Sequence, residues 1–246
     1  MILAHISDLH IGQDRGDGGA RALRRAMDTV EWLNGIGGDL DGVLVTGDLA
    51  DHGLAAEYET VRELLATLRF PVLTCPGNHD DRAAYLGTLL GEQADTGAVN
   101  RVHHLGGYTI AMCDSSIPGR DEGYLDDETL AWLGKVLADT GEPALVCLHH
   151  PPVPLGIPFV DGIRLQDADR LADVLPGHVV AVLCGHAHTG ATTTFAGRPL
   201  VVAPGVVSTV TLPFEGGDVI GYGPPPSVAF HVLDGDRGLV THFRSL

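Results

Sequence analysis

The chain has 246 residues, 44% of them hydrophobic, enough to fill the core of one enzyme-sized unit. Its 32 acidic residues outweigh 15 basic ones for a net charge of −17, a balance that repels the phosphate backbone of duplex nucleic acid. No run of about 18 apolar residues occurs and no basic leader precedes Met1-Ile2-Leu3-Ala4-His5-Ile6, so no membrane partner and a cytoplasmic location are expected.

Short, nearly continuous apolar runs alternate with amphipathic ones along the chain, as in strands buried on both faces and the helices that cover them. Ile2–Ile6 reads as the first strand. Leu23, Ala26, Val30 and Leu33 then recur at helical spacing, with Gly35 and Gly37 as stop signals. Gly42–Thr46 is a second strand, followed by the helical stripe Tyr58, Val61, Leu65 and Leu68. Residues 71–75 and 109–113 are further strands, and His103-His104 between them reads as solvated loop. Asp126, Asp127 and Glu128 suit a helix N-terminus, ahead of the stripe Leu130, Leu133, Val136 and Leu137. Ala144–Leu148 and Val179–Cys184 complete the α/β part. After about residue 190, segments 198–203, 206–212, 227–233 and 239–243 read as strands joined by turns such as Asp234-Gly235-Asp236. Residues 215–226, rich in Gly and Pro, predict a surface loop.

The polar clusters fall where these strands end. Ser7-Asp8-Leu9-His10 follows the first, Gly47-Asp48 the second, and Pro76-Gly77-Asn78-His79-Asp80 the third. His149-His150-Pro151-Pro152 and Gly185-His186-Ala187-His188 follow two more. Ligand crevices in open α/β sheets lie outside the carboxyl ends of strands, so five such ends would deliver Asp, His and Asn to one place. Alternation at a strand end would point both members of Asp8-x-His10 and of His186-x-His188 to one side. Imidazole and carboxylate without thiolate favour Mn, Fe, Co, Ni or Zn. Seven such ligands exceed the needs of one ion and suit two ions about 3.5–4 Å apart, the clamp used for in-line displacement at phosphorus. Spacing alone leaves His149 and His150 equivalent. Cys75, Cys113, Cys147 and Cys184 lie inside apolar runs and read as core.

The ordered set Asp8-x-His10, Gly47-Asp48, Gly77-Asn78-His79-Asp80, His149 and Gly185-His186-x-His188 resembles the calcineurin-like metallophosphoesterase superfamily over about residues 1–210. Ala4-His5-Ile6-Ser7-Asp8-Leu9-His10, Asp114-Ser115-Ser116 and His149-His150-Pro151-Pro152 are similar to a bacterial branch of class III cyclic nucleotide and glycerophosphodiester phosphodiesterases. The resemblance implies a four-layer αββα sandwich of two mixed β-sheets flanked by helices, as a single domain over residues 1–246. It implies a first metal on Asp8, His10 and His188, a second on Asn78, His149 and His186, and Asp48 bridging them. It gives His79 the role of protonating the leaving alkoxide, which makes His79 and Asp48 the candidate catalytic residues. Two divalent or trivalent ions (Fe, Mn, Zn, Co or Ni), a hydroxide activated between them, and a homodimer belong to the same expectation. The expected substrates are small phosphodiesters, 3′,5′-cyclic nucleotides such as cAMP first. Glycerophosphodiesterase or broad phosphomonoesterase activity is the alternative, and a metal-bearing scaffold without turnover is the non-enzyme one. Ser208 stands where the glycerophosphodiesterase branch carries a histidine. Segments 151–163 and 215–226 are expected to wall the substrate pocket.

Overall fold

The computed structural model describes residues 1–235 and 238–246, so Asp236 of the expected Asp234-Gly235-Asp236 turn lies outside the described residues. Its strands are β1 (Ile2–Ile6), β2 (Gly42–Thr46), β3 (Val72–Cys75), β4 (Arg101–Leu105), β5 (Tyr108–Cys113), β6 (Ala144–Leu148), β7 (Val179–Cys184), β8 (Ala191–Phe195), β9 (Arg198–Val202), β10 (Thr209–Val210), β11 (Ile220–Gly221), β12 (Ser227–Asp234) and β13 (Gly238–Ser245). The helices are α1 (Ala20–Asn34), α2 (Ala55–Leu65), α3 (Arg82–Ala84), α4 (Asp127–Asp139), α5 (Pro158–Gly162) and α6 (Ala168–Asp173), with a π-helical turn over Tyr85–Leu89. Asp126 caps α4 by accepting from the Thr129 amide at 2.7 Å, as the acids ahead of that stripe suggest.

Two mixed sheets carry the fold. One has the order β13-β12-β1-β2-β3 and the other β4-β5-β6-β7-β9-β8. Strand alternation assigns the layers. Leu3, Leu44, Ile110, Met112, Leu145, Cys147 and Leu183 pack together between the sheets. Their neighbours Ala4, Val43 and Val45 face the apolar stripes of α1 and α2. Ala111, Val146, Leu148 and Val182 face α4, α5 and α6 on the opposite side. That is the expected αββα order. All four cysteines are free and buried, and burial pushes their thiols up.

Some expectations needed correction. His103 and His104 lie inside β4 rather than in a loop, and β8 was not anticipated. Only Thr209–Val210 of segment 206–212 is strand, paired with β11. Both missed strands, at opposite ends of their sheet, are only partly buried, so they lack the continuous apolar run that marks a central strand.

Two imidazoles sit in the sandwich interior. His5 Nδ1 lies 2.9 Å from His231 Nε2, His5 Nε2 lies 2.8 Å from Thr46 Oγ1, and His231 Nδ1 lies 2.9 Å from Thr241 Oγ1. Burial holds His5 well below the usual histidine value and His231 down to about 3. Unfolded, each takes up a proton near pH 6.5, so folding keeps their full contribution above that pH and loses it as pH falls, for His231 down to about 3. Urea melts at pH 5 should show about 2 kcal/mol less stability than at pH 7.5 from His231, with His5 adding in the same direction. His231→Gln should shrink that difference, and an unchanged difference would place the acid sensitivity elsewhere.

Candidate metal centre

The loops that leave β1, β2, β3, β6 and β7 meet at one end of the sandwich. The first two continue side by side: Asp8 N donates to Gly47 O at 3.1 Å, and His10 N donates to Asp48 O at 2.9 Å. Val206 N donates to Ser7 O at 3.0 Å and Gly185 N donates to His149 O at 2.9 Å, which knits in loops of the second sheet. Asp80 ties two loops together, accepting from the amides of Gly77 at 2.8 Å, Leu49 at 3.2 Å and Ala50 at 3.1 Å.

Strand alternation does not aim the Asp-x-His and His-x-His pairs, because β1 ends at Ile6 and β7 at Cys184. The backbone turns left-handed instead, with φ of 58° at Asp8, 45° at His10, 51° at Asp48, 69° at His186 and 50° at His188. Only seven non-glycine residues adopt positive φ among the described residues, and five of them are these. Such conformations cost energy and persist where the surroundings over-determine them. Gly77 is required for space rather than for its own turn: a Cβ there would lie 2.2 Å from Asp48 Oδ1 and 2.5 Å from Asp48 N.

These loops bring all seven expected side chains together. His10 Nε2 lies 3.4 Å from Asp48 Oδ2 and 3.3 Å from His188 Nε2, which is in turn 3.3 Å from Asp8 Oδ1. On the other side, His149 Nε2 lies 3.3 Å from the same Asp48 Oδ2, 3.1 Å from Asn78 Oδ1 and 3.1 Å from His186 Nδ1. Asp8, His10, Asp48 and His188 thus form one group able to hold a cation. Asp48, Asn78, His149 and His186 stand together on the other side, with the Asp48 carboxylate common to both sets, and His10, Asp51 and His79 form a further group of possible ligands.

The residues fit metal ions. Asp8 Oδ1 is buried without a hydrogen-bond partner, which is costly unless another group satisfies it. His10 Nδ1 donates to Asp51 Oδ1 at 2.8 Å and His149 Nδ1 to Thr46 O at 2.7 Å, so each ring offers Nε2 to the cluster. His188 Nδ1 is fixed by Ser208 Oγ at 2.7 Å. Such outer partners commonly orient metal-binding imidazoles. His150 is near enough to join His149 and His186, but its nitrogens are engaged by Ser115 Oγ at 2.8 Å and Asp121 O at 3.1 Å. Of the doublet, His149 is the one whose Nε2 stays turned toward Asp48 and Asn78.

Asp51 and Thr46 belong to no motif and were not singled out. Spacing carries no signal for them, since their partners come from other loops. Asp51→Ala should weaken Mn binding about 10–100-fold, the usual effect of removing an outer partner. Calorimetric titration measures this, and wild-type affinity would show that Asp51 does not orient His10.

Burial opposes charge throughout the cluster, yet opposite charges hold Asp8, Asp48 and His149 ionised. His188 and His149 keep the buried Asp8 carboxyl at about 2, and Asp48 is held well below the carboxylate range by His149 and His10. Against burial, Asp48 and Asp8 raise His149 to about 9. Burial and His149 together push His186 down to about 3.

His79 borders the cleft in front of these groups, a space of about 320 Å³ that also meets Gln13, Ser208, Phe159, Ile163 and Ile220. Its amide donates to Asp48 Oδ1 at 2.9 Å and its Nδ1 donates to Asp51 O at 2.8 Å, leaving Nε2 free to exchange a proton. Asp48 and Asp51 outweigh burial and raise its pKa, favouring the acid form. Asp114, by contrast, is tied to Arg82 Nε at 2.7 Å and to the amides of Val99 and Ser116, away from the cluster.

A four-layer sandwich with two sets of possible metal ligands sharing one carboxylate at its loop end is the arrangement expected of a metal-dependent phosphoester hydrolase. The chain belongs to the calcineurin-like phosphoesterase family, whose profile matches residues 1–190. It is 33% identical over 246 residues to glycerophosphodiester phosphodiesterase GpdQ of Enterobacter lignolyticus, covering 96% of this chain and 88% of that one. It is 36% identical over 228 residues to a cAMP/cGMP dual specificity phosphodiesterase of Mycobacterium tuberculosis, covering 89% and 72%. Its fold is similar to a dimetal phosphatase from Danio rerio, with a TM-score of 0.66, 17% identity, and coverage of 100% and 98%. Among the described residues no helix is long and apolar enough to cross a membrane.

Proposed function

We propose that this chain is a two-metal phosphodiesterase that hydrolyses small phosphodiesters, 3′,5′-cyclic nucleotides first. The observation that carries this reading is the position of Asp48 Oδ2, 3.4 Å from His10 Nε2 and 3.3 Å from His149 Nε2, between two sets of ligand atoms. Asp8, His10 and His188 would hold one ion, Asn78, His149 and His186 the other, and Asp48 both. Bound there, two ions would polarise the phosphoryl group and supply a nucleophilic water at neutral pH. The donor set suits Mn, Fe, Zn, Co or Ni.

The chain's own residues do the rest. The outer hydrogen bonds of Asp51, Thr46 and Ser208 hold three imidazoles in the orientation that binding requires. His79 presents Nε2 to the cleft and gives its proton to the leaving alkoxide as the P–O bond breaks. The 36% identical relative named for cAMP and cGMP supports the cyclic nucleotide reading, and the 33% identical GpdQ supports glycerophosphodiesters as the second. We place the activity in one cytoplasmic domain spanning the chain, acting as a homodimer without nucleic-acid or membrane partners.

The test is a panel on metal-stripped protein reconstituted with Mn: cAMP, cGMP, glycerophosphoethanolamine, bis(p-nitrophenyl) phosphate and p-nitrophenyl phosphate. Turnover of diesters, with cAMP leading, is expected. Rapid monoester turnover with diesters untouched would contradict the reading, and no turnover at all would favour the scaffold.

A further inference from the structure

We propose that an apolar pocket beside the metal cleft is an annex of the active site that takes a flat aromatic group carried by the substrate, a nucleobase or an aryl ring. This rests on the phosphodiesterase reading above. The annex measures about 340 Å³ and is walled by Ile157, Pro158, Phe159, Leu212, Pro213 and Val219. Phe159 lines both spaces, so the annex adjoins the cleft with only that side chain between them. The far wall is continuous as well. β10 pairs with β11 through Val210 and Ile220, which border the cleft, and Thr211 N then donates to Val219 O at 2.8 Å inside the annex.

Two features point to an aromatic occupant. Phe159 is 53% exposed and Val219 52%, uncovered apolar surface on two sides of one pocket in a protein with few aromatics. Among the described residues Asp218 is the one ionisable group lining the annex, and its charge would repel a second phosphate. The cleft and annex therefore divide the work: metals and His79 for the phosphodiester, Phe159 for a ring.

The wall is formed in advance of binding. The Arg15 guanidinium lies 3.9 Å and that of Arg21 4.6 Å from the Tyr222 ring centroid, and Arg25 Nη2 donates to Pro224 O at 2.8 Å. These contacts latch the 215–226 loop onto α1 and the segment before it, so a ring entering the annex does not also have to order its wall.

The experiment compares binding of adenosine 5′-monophosphate and ribose 5-phosphate to the Mn-loaded protein by calorimetry. Both carry the same phosphate and sugar, and they differ in the base. The wild type should prefer the nucleotide by about tenfold or more, the scale of base stacking on an aromatic side chain. Phe159→Ala should bring the two affinities to within about threefold. Val219→Asn, on the facing and already exposed wall, should narrow the gap too and guards against a folding defect in the first variant. Equal affinities in the wild type, or an undiminished preference in both variants, would overturn the annex. A base preference without any diester turnover would leave the annex standing and remove the phosphodiesterase reading.

Discussion

Asp48→Ala is expected to lower kcat/KM on any diester by about a thousandfold or more, corresponding to about 4 kcal/mol of lost transition-state stabilisation. The size follows from position. Asp48 faces ligand atoms of both groups through Oδ2 while Oδ1 accepts from the amide of His79 at 2.9 Å. Its removal takes a shared ligand from both cation sites and loosens the loop that aims His79. Metal content after desalting, measured by mass spectrometry, should fall from two Mn per chain to one or none. Two tightly held ions with a loss below about tenfold would show that Asp48 does not bridge.

His79→Ala should behave differently. Its ring stands at the cleft without belonging to either group around Asp48, so both metals should stay bound. Turnover should fall about 10²–10⁴-fold, the usual contribution of a positioned proton donor. The loss should be steepest for diesters with alkyl leaving groups, whose developing alkoxide needs the proton. It should be mildest for nitrophenyl diesters, whose leaving group departs as a stable anion. Steady-state kinetics across a leaving-group series, paired with metal analysis, separates the possibilities. Loss of metal, or an equal loss for every leaving group, would give His79 a positioning role.

Much of this architecture was legible because physics leaves a mark on residue order. The central strands β1, β2, β5, β6 and β7 are buried on both faces, so each reads as a continuous apolar run. Polar residues placed directly after them belong at the crevice. The partly buried strands β4 and β8 have no such signature: His103-His104 reads as solvated loop, and Thr192-Thr193-Thr194 offers no apolar run to mark a strand. The seven side chains of the centre could be named from motif order, but not how they are aimed. The left-handed turns at Asp8, His10, Asp48, His186 and His188 are invisible where sterics would suggest glycine. Nor could spacing reveal Asp51 or Thr46, since a hydrogen bond between distant loops imposes no periodicity. Ser208 was noticed for the substrate pocket. It does border the cleft, and it also fixes His188.

The central claim is that two cations sit side by side across the Asp48 carboxylate. Anomalous diffraction from crystals of the Mn-loaded protein tests it most directly. Two peaks about 3.5–4 Å apart are expected, one beside Asp8, His10 and His188, the other beside Asn78, His149 and His186. A single peak at full occupancy, or a second ion bound away from Asp48, would contradict the account.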